Sequence, residues 1–449
     1  MADVTHLIGI GGVGMSALAQ ALLDRGFAVS GADRQITTVG APLPTPVLRA
    51  LAAQGVKLFP DAGSGVDAET ARIIVSTAIE DTNPGLRKAQ AAGIPVVHRA
   101  AALAEVLSDR KLVAVAGTCG KSTVTAILGH VLATCGFDPV VVNGAQIAGW
   151  DENGARVGAV RKGTGEYAVA EVDESDKSLT AFKPYAAIIT NASADHYSKE
   201  EMDAVFDAFI HDVPGSVIDG RVGDEAAGRR FPQVGDAGEA AGRRFPQGLE
   251  EAIESFPMPG AHNRANARLA LAMACALGAE PAQAAAALAT FPGVERRLQR
   301  VGFLPCGDRE VVIYDDYAHN PEKLRAMWTT LAEAYPRGVA AVWRPHGYGP
   351  LRKMLESLAA MFREVMRPQD AIVLLPVYDA GGTADRSVNA DALAALLGDA
   401  PGAVKLVSNL EEAEEYLRAR ADAFGAIVTA GARDPGLPVL ARRLAGKER

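Results

Sequence analysis

Short apolar runs alternate with helix-spaced stretches along almost the whole chain. Leu7-Ile8-Gly9-Ile10 is followed by Met15 to Arg25, Ala28-Val29-Ser30 by Val47 to Gln54, and Ile73-Ile74-Val75-Ser76 by Leu86 to Ala92 and Pro95-Val96-Val97. Buried strands alternating with amphipathic helices predict mostly parallel sheets with helical crossovers, an α/β fold. The pattern restarts at Lys111-Leu112-Val113-Ala114-Val115-Ala116, turns through Gly117-Thr118-Cys119-Gly120 and enters a helix at Lys121. Further strands are expected at Val140 to Val142, Tyr167 to Val172 and Ala186 to Thr190. A third restart near Val294 predicts strands at Val311 to Tyr314, Val339 to Trp343, Ala371 to Leu375 and Ala426 to Ala430. Three domains follow, at 1–108, 109–293 and 294–449.

Composition narrows the function classes. Of 449 residues, 49% are hydrophobic and 22% charged, which fits ordinary globular domains rather than global disorder. The net charge of −9 argues against a nucleic-acid or anionic-membrane surface as the main partner, while leaving local anion pockets open. The four cysteines, Cys119, Cys135, Cys275 and Cys306, have no metal-binding spacing and suit a reducing compartment. No apolar run reaches the roughly 20 residues of a membrane span, and no basic leader precedes the first strand. The expectation is a soluble, cytoplasmic protein, monomer or homodimer, without nucleic-acid or membrane partners.

Two glycine loops carry the clearest chemistry. Gly9-Ile10-Gly11-Gly12-Val13-Gly14 follows a strand and opens a helix, so its amides can meet a diphosphate at a helix N-terminus, and Asp33 lies about where a ribose-binding acid would. A purely structural turn is the alternative, and a dinucleotide such as NAD is not separated from a sugar nucleotide at this stage. Gly117-Thr118-Cys119-Gly120-Lys121-Ser122 is a short phosphate loop, with Val115 where the full pattern has its first glycine. Its amides can cradle phosphate oxygens, Lys121 supplies a point charge, and the Ser122 hydroxyl can join a Mg²⁺ shell.

Glu171-Val172-Asp173-Glu174-Ser175-Asp176 places four carboxylates at the end of a strand, and Asn191 to His196 ends the next one similarly. Beside a phosphate loop, this pattern suits a hard cation, although acidic turns are often merely solvated. Asn263 and Asn266 stand at i, i+3 after Gly260, as a site or as helix caps. Tyr314 to Pro321 ends a strand with Asp315, Asp316 and His319. No serine or cysteine sits in a nucleophile elbow. The segment 225–233 recurs identically at 239–247, as a duplicated surface loop or an arginine-rich anion contact.

Taken in order, these motifs resemble those of the Mur ligases of peptidoglycan synthesis, over nearly the whole chain. The closest likeness is to the branch that joins L-alanine to UDP-N-acetylmuramate and to its murein-tripeptide relative. The resemblance implies a Rossmann-like N-terminal domain for the UDP-sugar acid, a central P-loop-type ATPase domain, and a Rossmann-like C-terminal domain for the amino acid or peptide. It implies ATP and Mg²⁺ as cofactors and an acyl-phosphate route to an amide. Gly117, Thr118, Gly120, Lys121, Ser122 and Thr123 would hold ATP, with His262, Asn263 and Asp316. Ser122, Glu171 and His196 would ligate Mg²⁺, and Lys121, Glu171, His196 and Arg297 would form the catalytic set, Arg297 reaching the γ-phosphate. Gly11, Gly12, Val13, Gly14, Asp33 and Ser76 would bind the UDP substrate, and His319, His346 and Arg352 would serve at the substrate side of the third domain.

The chain also departs from the family pattern. Cys119 and Ser122 replace the usual histidine or asparagine and threonine. The segment Pro345-His346-Gly347-Tyr348-Gly349-Pro350-Leu351-Arg352 lacks two arginines of the alanine ligases, and Tyr378 to Gly382 lacks an acid. The acceptor is therefore left open between an amino acid and a peptide. An NAD-dependent oxidoreductase and a nucleotide-binding regulator without ligase activity remain as other readings.

Overall fold

The computed structural model describes residues 3–173, 178–192, 199–222, 247–379 and 385–447. The chain divides into two compact units, Met1–Pro257 with Asn263–Val294, and Met258–His262 with Glu295–Arg449. The first unit holds two sheets. One consists of β1 (Val4–Ile8), β2 (Val29–Asp33), β3 (Lys57–Pro60), β4 (Thr70–Val75) and β5 (Val96–His98), all parallel in the order β3-β2-β1-β4-β5. The other consists of β6 (Lys111–Ala116), β7 (Val140–Val142), β8 (Val160–Arg161), β9 (Tyr167–Glu171), β10 (Ala186–Ile189) and β11 (Val217–Asp219). Its order is β11-β10-β6-β9-β7-β8, with only the β7/β8 pair antiparallel among the described residues.

The second unit carries β12 (Gln299–Cys306), β13 (Arg309–Asp316), β14 (Val339–Trp343), β15 (Ala371–Leu374), β16 (Ala403–Leu406) and β17 (Ala426–Ala430). They are ordered β12-β13-β17-β14-β15-β16, parallel except for the β12/β13 hairpin. Trp328, Trp343 and Phe362 are fully buried on one face of this sheet. Each large aromatic hides roughly 150–250 Å² of surface, so this face carries much of the unit's hydrophobic stabilisation.

The α/β expectation holds. The strands absent from the sequence reading, β3, β8, β11, β12 and β16, all lie at sheet edges. Central strands of parallel sheets are buried on both faces and read as continuous apolar runs, whereas edge strands are short or polar. Lys57-Leu58-Phe59-Pro60 and Ala403-Val404-Lys405-Leu406 show this directly: none of the eight is buried, and three of the four in β16 are exposed.

Topology places the first site. In the first sheet the strand order reverses between β1 and β4, the position at which doubly wound sheets leave a crevice beyond their strand ends. Within the first unit the two sheets and their helices share one continuous apolar cluster that includes Leu18, Leu103, Val157 and Phe182. Polar contacts reinforce that packing: Gln20 Oε1 accepts from the Val157 amide at 3.0 Å, and the half-buried Arg156 pairs with Asp24 at 2.6 Å.

Candidate functional site

The phosphate loop joins β6 to the helix Lys121–Thr134. Gly117 (φ 123°) and Gly120 (φ 86°) lie in the left-handed region, and a Cβ on either would meet Thr190 Oγ1 at 2.1 Å or Asn266 Oδ1 at 2.5 Å. Only glycine satisfies both demands. Asn191, just past β10, clamps the loop: its Oδ1 accepts from the Cys119 amide at 2.9 Å and its Nδ2 donates to the Cys119 carbonyl at 2.9 Å. Thr190 Oγ1 donates to that same carbonyl at 2.6 Å. The loop is thus held in shape by its neighbouring strand, with the first-turn amides of a long helix behind it, and this cradle fits a phosphate chain. Lys121 Nζ donates to the Gly117 carbonyl at 2.7 Å and stands 4.0 Å from Asp173. Ser122 and Thr123 are buried in the first helical turn.

Adjacent strands bring the acidic groups to the same edge. Val115 of β6 pairs with Glu171 of β9, and Val142 of β7 pairs with Ala170. Glu171, Asp173, Asn143 and the phosphate loop therefore emerge at neighbouring strand ends. Glu171 Oε2 accepts from the Gly144 amide at 2.8 Å, which fixes its carboxylate. Asn143 Oδ1 is buried and has no hydrogen-bond partner among the described residues. Glu171, Asp173 and Asn143 line one cavity wall and present oxygen donors there, the chemistry a hard cation such as Mg²⁺ takes. Among the described residues no group of three or more His, Cys, Asp or Glu side chains forms a ready metal cage. His196, with Asp195 and Glu174 to Asp176, lies outside the described residues, as does the repeat at 225–247.

One cavity of about 420 Å³ runs from the first glycine loop to this acidic edge. Its walls include Gly12, Val13 and Gly14 on one side and Asn143, Glu171 and Asp173 on the other, with Ser76 and Arg99 between. The glycine loop divides its amides. Gly11 N–H donates to Asp33 Oδ2 at 2.7 Å, and Gly12 N–H donates to the Gly9 carbonyl at 3.0 Å. Asp33 Oδ1 accepts from the Gln35 amide at 3.0 Å. Asp33 thus braces the loop from within, and the amides with no hydrogen-bond partner among the described residues begin at Val13 and Gly14, the first turn of the helix Val13–Asp24. Gly11 and Asp33 thus hold the loop's shape, while Val13 and Gly14 line the cavity.

Arg99 escaped the sequence reading. It opens the helix Arg99–Val106 after β5, and its guanidinium would lie 3.1 Å from a Cβ on Gly14. Among the described residues it is the one basic side chain in the cavity wall. Its signal was a lone arginine at a strand-to-helix junction, visible only once β4 is known to lie between β1 and β5.

In the second unit, Arg296 and Leu298 have positive φ, and the turn they flank is pinned by Asp316. Asp316 accepts from the Leu298 and Ala318 amides at 2.6 and 2.7 Å, and burial pushes its carboxyl upward. Burial raises Asp315 to about 6, opposed by Arg296 at 3.1 Å and by Thr429 Oγ1, which donates at 2.7 Å. Arg297 lies over the Tyr317 ring at 5.4 Å. His319 and His346 meet edge-on at 4.9 Å, while Arg352 pairs with Asp385 at 2.7 Å and bonds Ser387 Oγ. In the helix Ala261–Ala276, Asn263 and Asn266 are buried within the helical turns, so neither is a cap, and Asn266 packs on Gly120; His262 is exposed.

Comparison with known proteins identifies the family. The Mur ligase family catalytic-domain model matches residues 4–111, the Mur ligase middle domain 115–211, and the Mur ligase glutamate ligase domain 296–433. A UDP-N-acetylmuramate–L-alanine ligase of Synechococcus is 34% identical over 433 residues, covering 92% of this chain and 86% of the relative. The chain belongs to the Mur ligase family. A second relative of the same name, from Paenarthrobacter aurescens, is 33% identical, with 98% of this chain and 97% of that protein covered. This Mur ligase superposes on the UDP-N-acetylmuramate–alanine ligase of Thermotoga maritima with a TM-score of 0.75 at 23% identity, covering 99% and 98% of the two chains. The murein peptide ligase of Psychrobacter arcticus gives 0.65 at 19% identity, covering 99% and 98%. Membership makes the protein an ATP-dependent amide-bond ligase of peptidoglycan precursor synthesis. No helix among the described residues is long and apolar enough to cross a membrane.

Proposed function

We propose that the protein is an ATP- and Mg²⁺-dependent ligase joining an amino acid, such as L-alanine, to the lactyl carboxylate of UDP-N-acetylmuramate. The single observation that carries this reading is the cavity connecting a helix N-terminus suited to a diphosphate with the carboxylate edge beside the phosphate loop. A UDP-sugar acid has both ends such a cavity asks for. Relatives named for that substrate support the same assignment.

In this reading the Val13 and Gly14 amides and Arg99 hold the diphosphate, and Ser76 lines the wall. Gly117, Thr118, Gly120 and Thr123 shape the triphosphate cradle, and Lys121 leaves the Gly117 carbonyl to pair with the β- and γ-phosphates. Ser122 and Glu171 would hold Mg²⁺, joined by His196 on the family resemblance; His262, Asn263, Asp316 and Arg297 are assigned to ATP on the same ground. Bound Mg²⁺ supplies the positive charge that offsets repulsion between the incoming carboxylate and the triphosphate. The carboxylate oxygen attacks the γ-phosphorus and ADP leaves. The acceptor amine then attacks the acyl carbon, loses its proton, and orthophosphate departs to leave the amide.

Arg99 gives the test of the cavity assignment. Arg99→Ala should weaken UDP-N-acetylmuramate binding about 10- to 100-fold, the worth of a charge-assisted contact to phosphate, and leave ATP-analogue affinity unchanged. Titration calorimetry of both ligands checks this. Unaltered nucleotide-sugar affinity would remove the diphosphate from this cavity.

A further inference from the structure

Three neighbouring strands of the third sheet end together. Asp316 of β13 pairs with Ala430 of β17, and Ala430 pairs with Trp343 of β14, so His319, His346 and Arg433 follow adjacent strand ends. The β17 end is rigidly tied. Gly431 N–H donates to the Asp316 carbonyl at 3.3 Å, the Gly431 carbonyl accepts from Arg296 at 2.5 Å, and the Asp434 amide donates to the Ala432 carbonyl at 2.8 Å. Between these ties Arg433 sits at φ 65°, a conformation that residues bearing a Cβ rarely adopt, and it is exposed. Its acidic neighbour offers it nothing: Asp434 pairs with Arg344 at 2.7 Å and accepts from the Gly436 amide at 2.8 Å.

Two cations, Arg433 and Lys323, lie near His346. Neither Arg433 nor the half-buried Lys323 has a side-chain ion-pair or hydrogen-bond partner among the described residues. Both histidines are pushed down to about 4. Burial is the chief cause for each, and Lys323 acts on both, with Arg433 on His346 and Arg297 on His319. The rings are therefore neutral at pH 7, and an anion entering here would meet free positive charge beside uncharged imidazole walls.

We propose that Arg433, seconded by Lys323, binds the carboxylate of the acceptor at this sheet edge and thereby selects acceptors bearing a free carboxylate over neutral amines. This rests on the ligase reading above, in which the acceptor is an amino acid or peptide. A planar guanidinium on a braced turn matches a carboxylate bidentately, whereas Arg352 is engaged by Asp385.

The test measures amine-dependent ADP release with ATP, Mg²⁺ and UDP-N-acetylmuramate saturating. The probes are the amino acid the wild-type protein uses best and its C-terminal amide. Wild type should prefer the free acid, and Arg433→Ala should raise the acceptor KM about 10- to 100-fold with kcat within a few-fold and the preference for the acid lost. Arg433→Lys should restore part of the preference, and Lys323→Ala should give a smaller rise in KM. Unchanged KM for ATP and UDP-N-acetylmuramate confirms that the variants fold. An Arg433→Ala enzyme that keeps its acceptor KM and its preference for the acid overturns the proposal, as does a defect confined to ATP or the UDP substrate. Wild-type protein that releases no ADP with any amine removes the ligase reading itself, an outcome distinct from both.

Discussion

Lys121→Ala should lower amine-dependent turnover by about 10²- to 10³-fold, the usual loss when one preorganised partner of transition-state charge is removed. Lys121 is the phosphate loop's own cation, half-committed in the structure to the Gly117 carbonyl at 2.7 Å and to Asp173 at 4.0 Å. Both contacts are within the loop and its acidic neighbour, so the side chain is kept folded over the cradle until phosphate oxygens replace them. Asn191 and Thr190 hold the loop independently at the Cys119 carbonyl, so its shape does not rest on Lys121 alone. The defect should therefore fall on kcat and ATP affinity while UDP-N-acetylmuramate binding by calorimetry stays within about twofold of wild type. Turnover within tenfold of wild type would take Lys121 out of the phosphate site.

The second large effect belongs to Glu171. Glu171→Ala should abolish Mg²⁺-dependent turnover, a loss on the order of 10³-fold, while sparing binding of the UDP substrate. The structure adds a companion variant. A Cβ on Gly144 would stand 2.2 Å from Glu171 Oε2, and the Gly144 amide now donates to that oxygen at 2.8 Å. Gly144→Ala must therefore displace the carboxylate without changing its chemistry. It should reduce turnover about 10- to 100-fold and raise the Mg²⁺ concentration needed for half-maximal rate, as a misplaced ligand would. Thermal melts separate these effects from misfolding. Normal Mg²⁺ dependence in Glu171→Ala would end the assignment of this residue to the cation.

Much of this site was legible in the sequence because its parts follow strand ends. Gly117 to Thr123 and Glu171 each close an apolar run, and sheet order alone then places them side by side. Asp33 was legible as an acid after β2, but its partner was not: only the fold shows it turned inward on the Gly11 amide instead of outward to a ligand. Arg99 and Gly144 had no local signature, since their places come from the parallel pairing of β4 with β1 and of β7 with β9. Edge strands were missed for a related reason. Their residues, Lys57 and Lys405 among them, answer to solvent on one side and carry no long apolar run. Arg433 was invisible for the opposite cause: nothing near it in sequence hints that its strand end lies between those of His319 and His346.

In the proposed function, this Mur ligase couples ATP cleavage to capture of an amine by the carboxylate of a UDP-sugar acid. ADP release measured with UDP-N-acetylmuramate and a panel of amino acids tests it most directly. Release should require Mg²⁺, the UDP-sugar acid and an amine together, with amide product formed in equal amount to ADP. Release that ignores the amine, or no release with any amine, would contradict it and favour a nucleotide-binding protein without ligase chemistry.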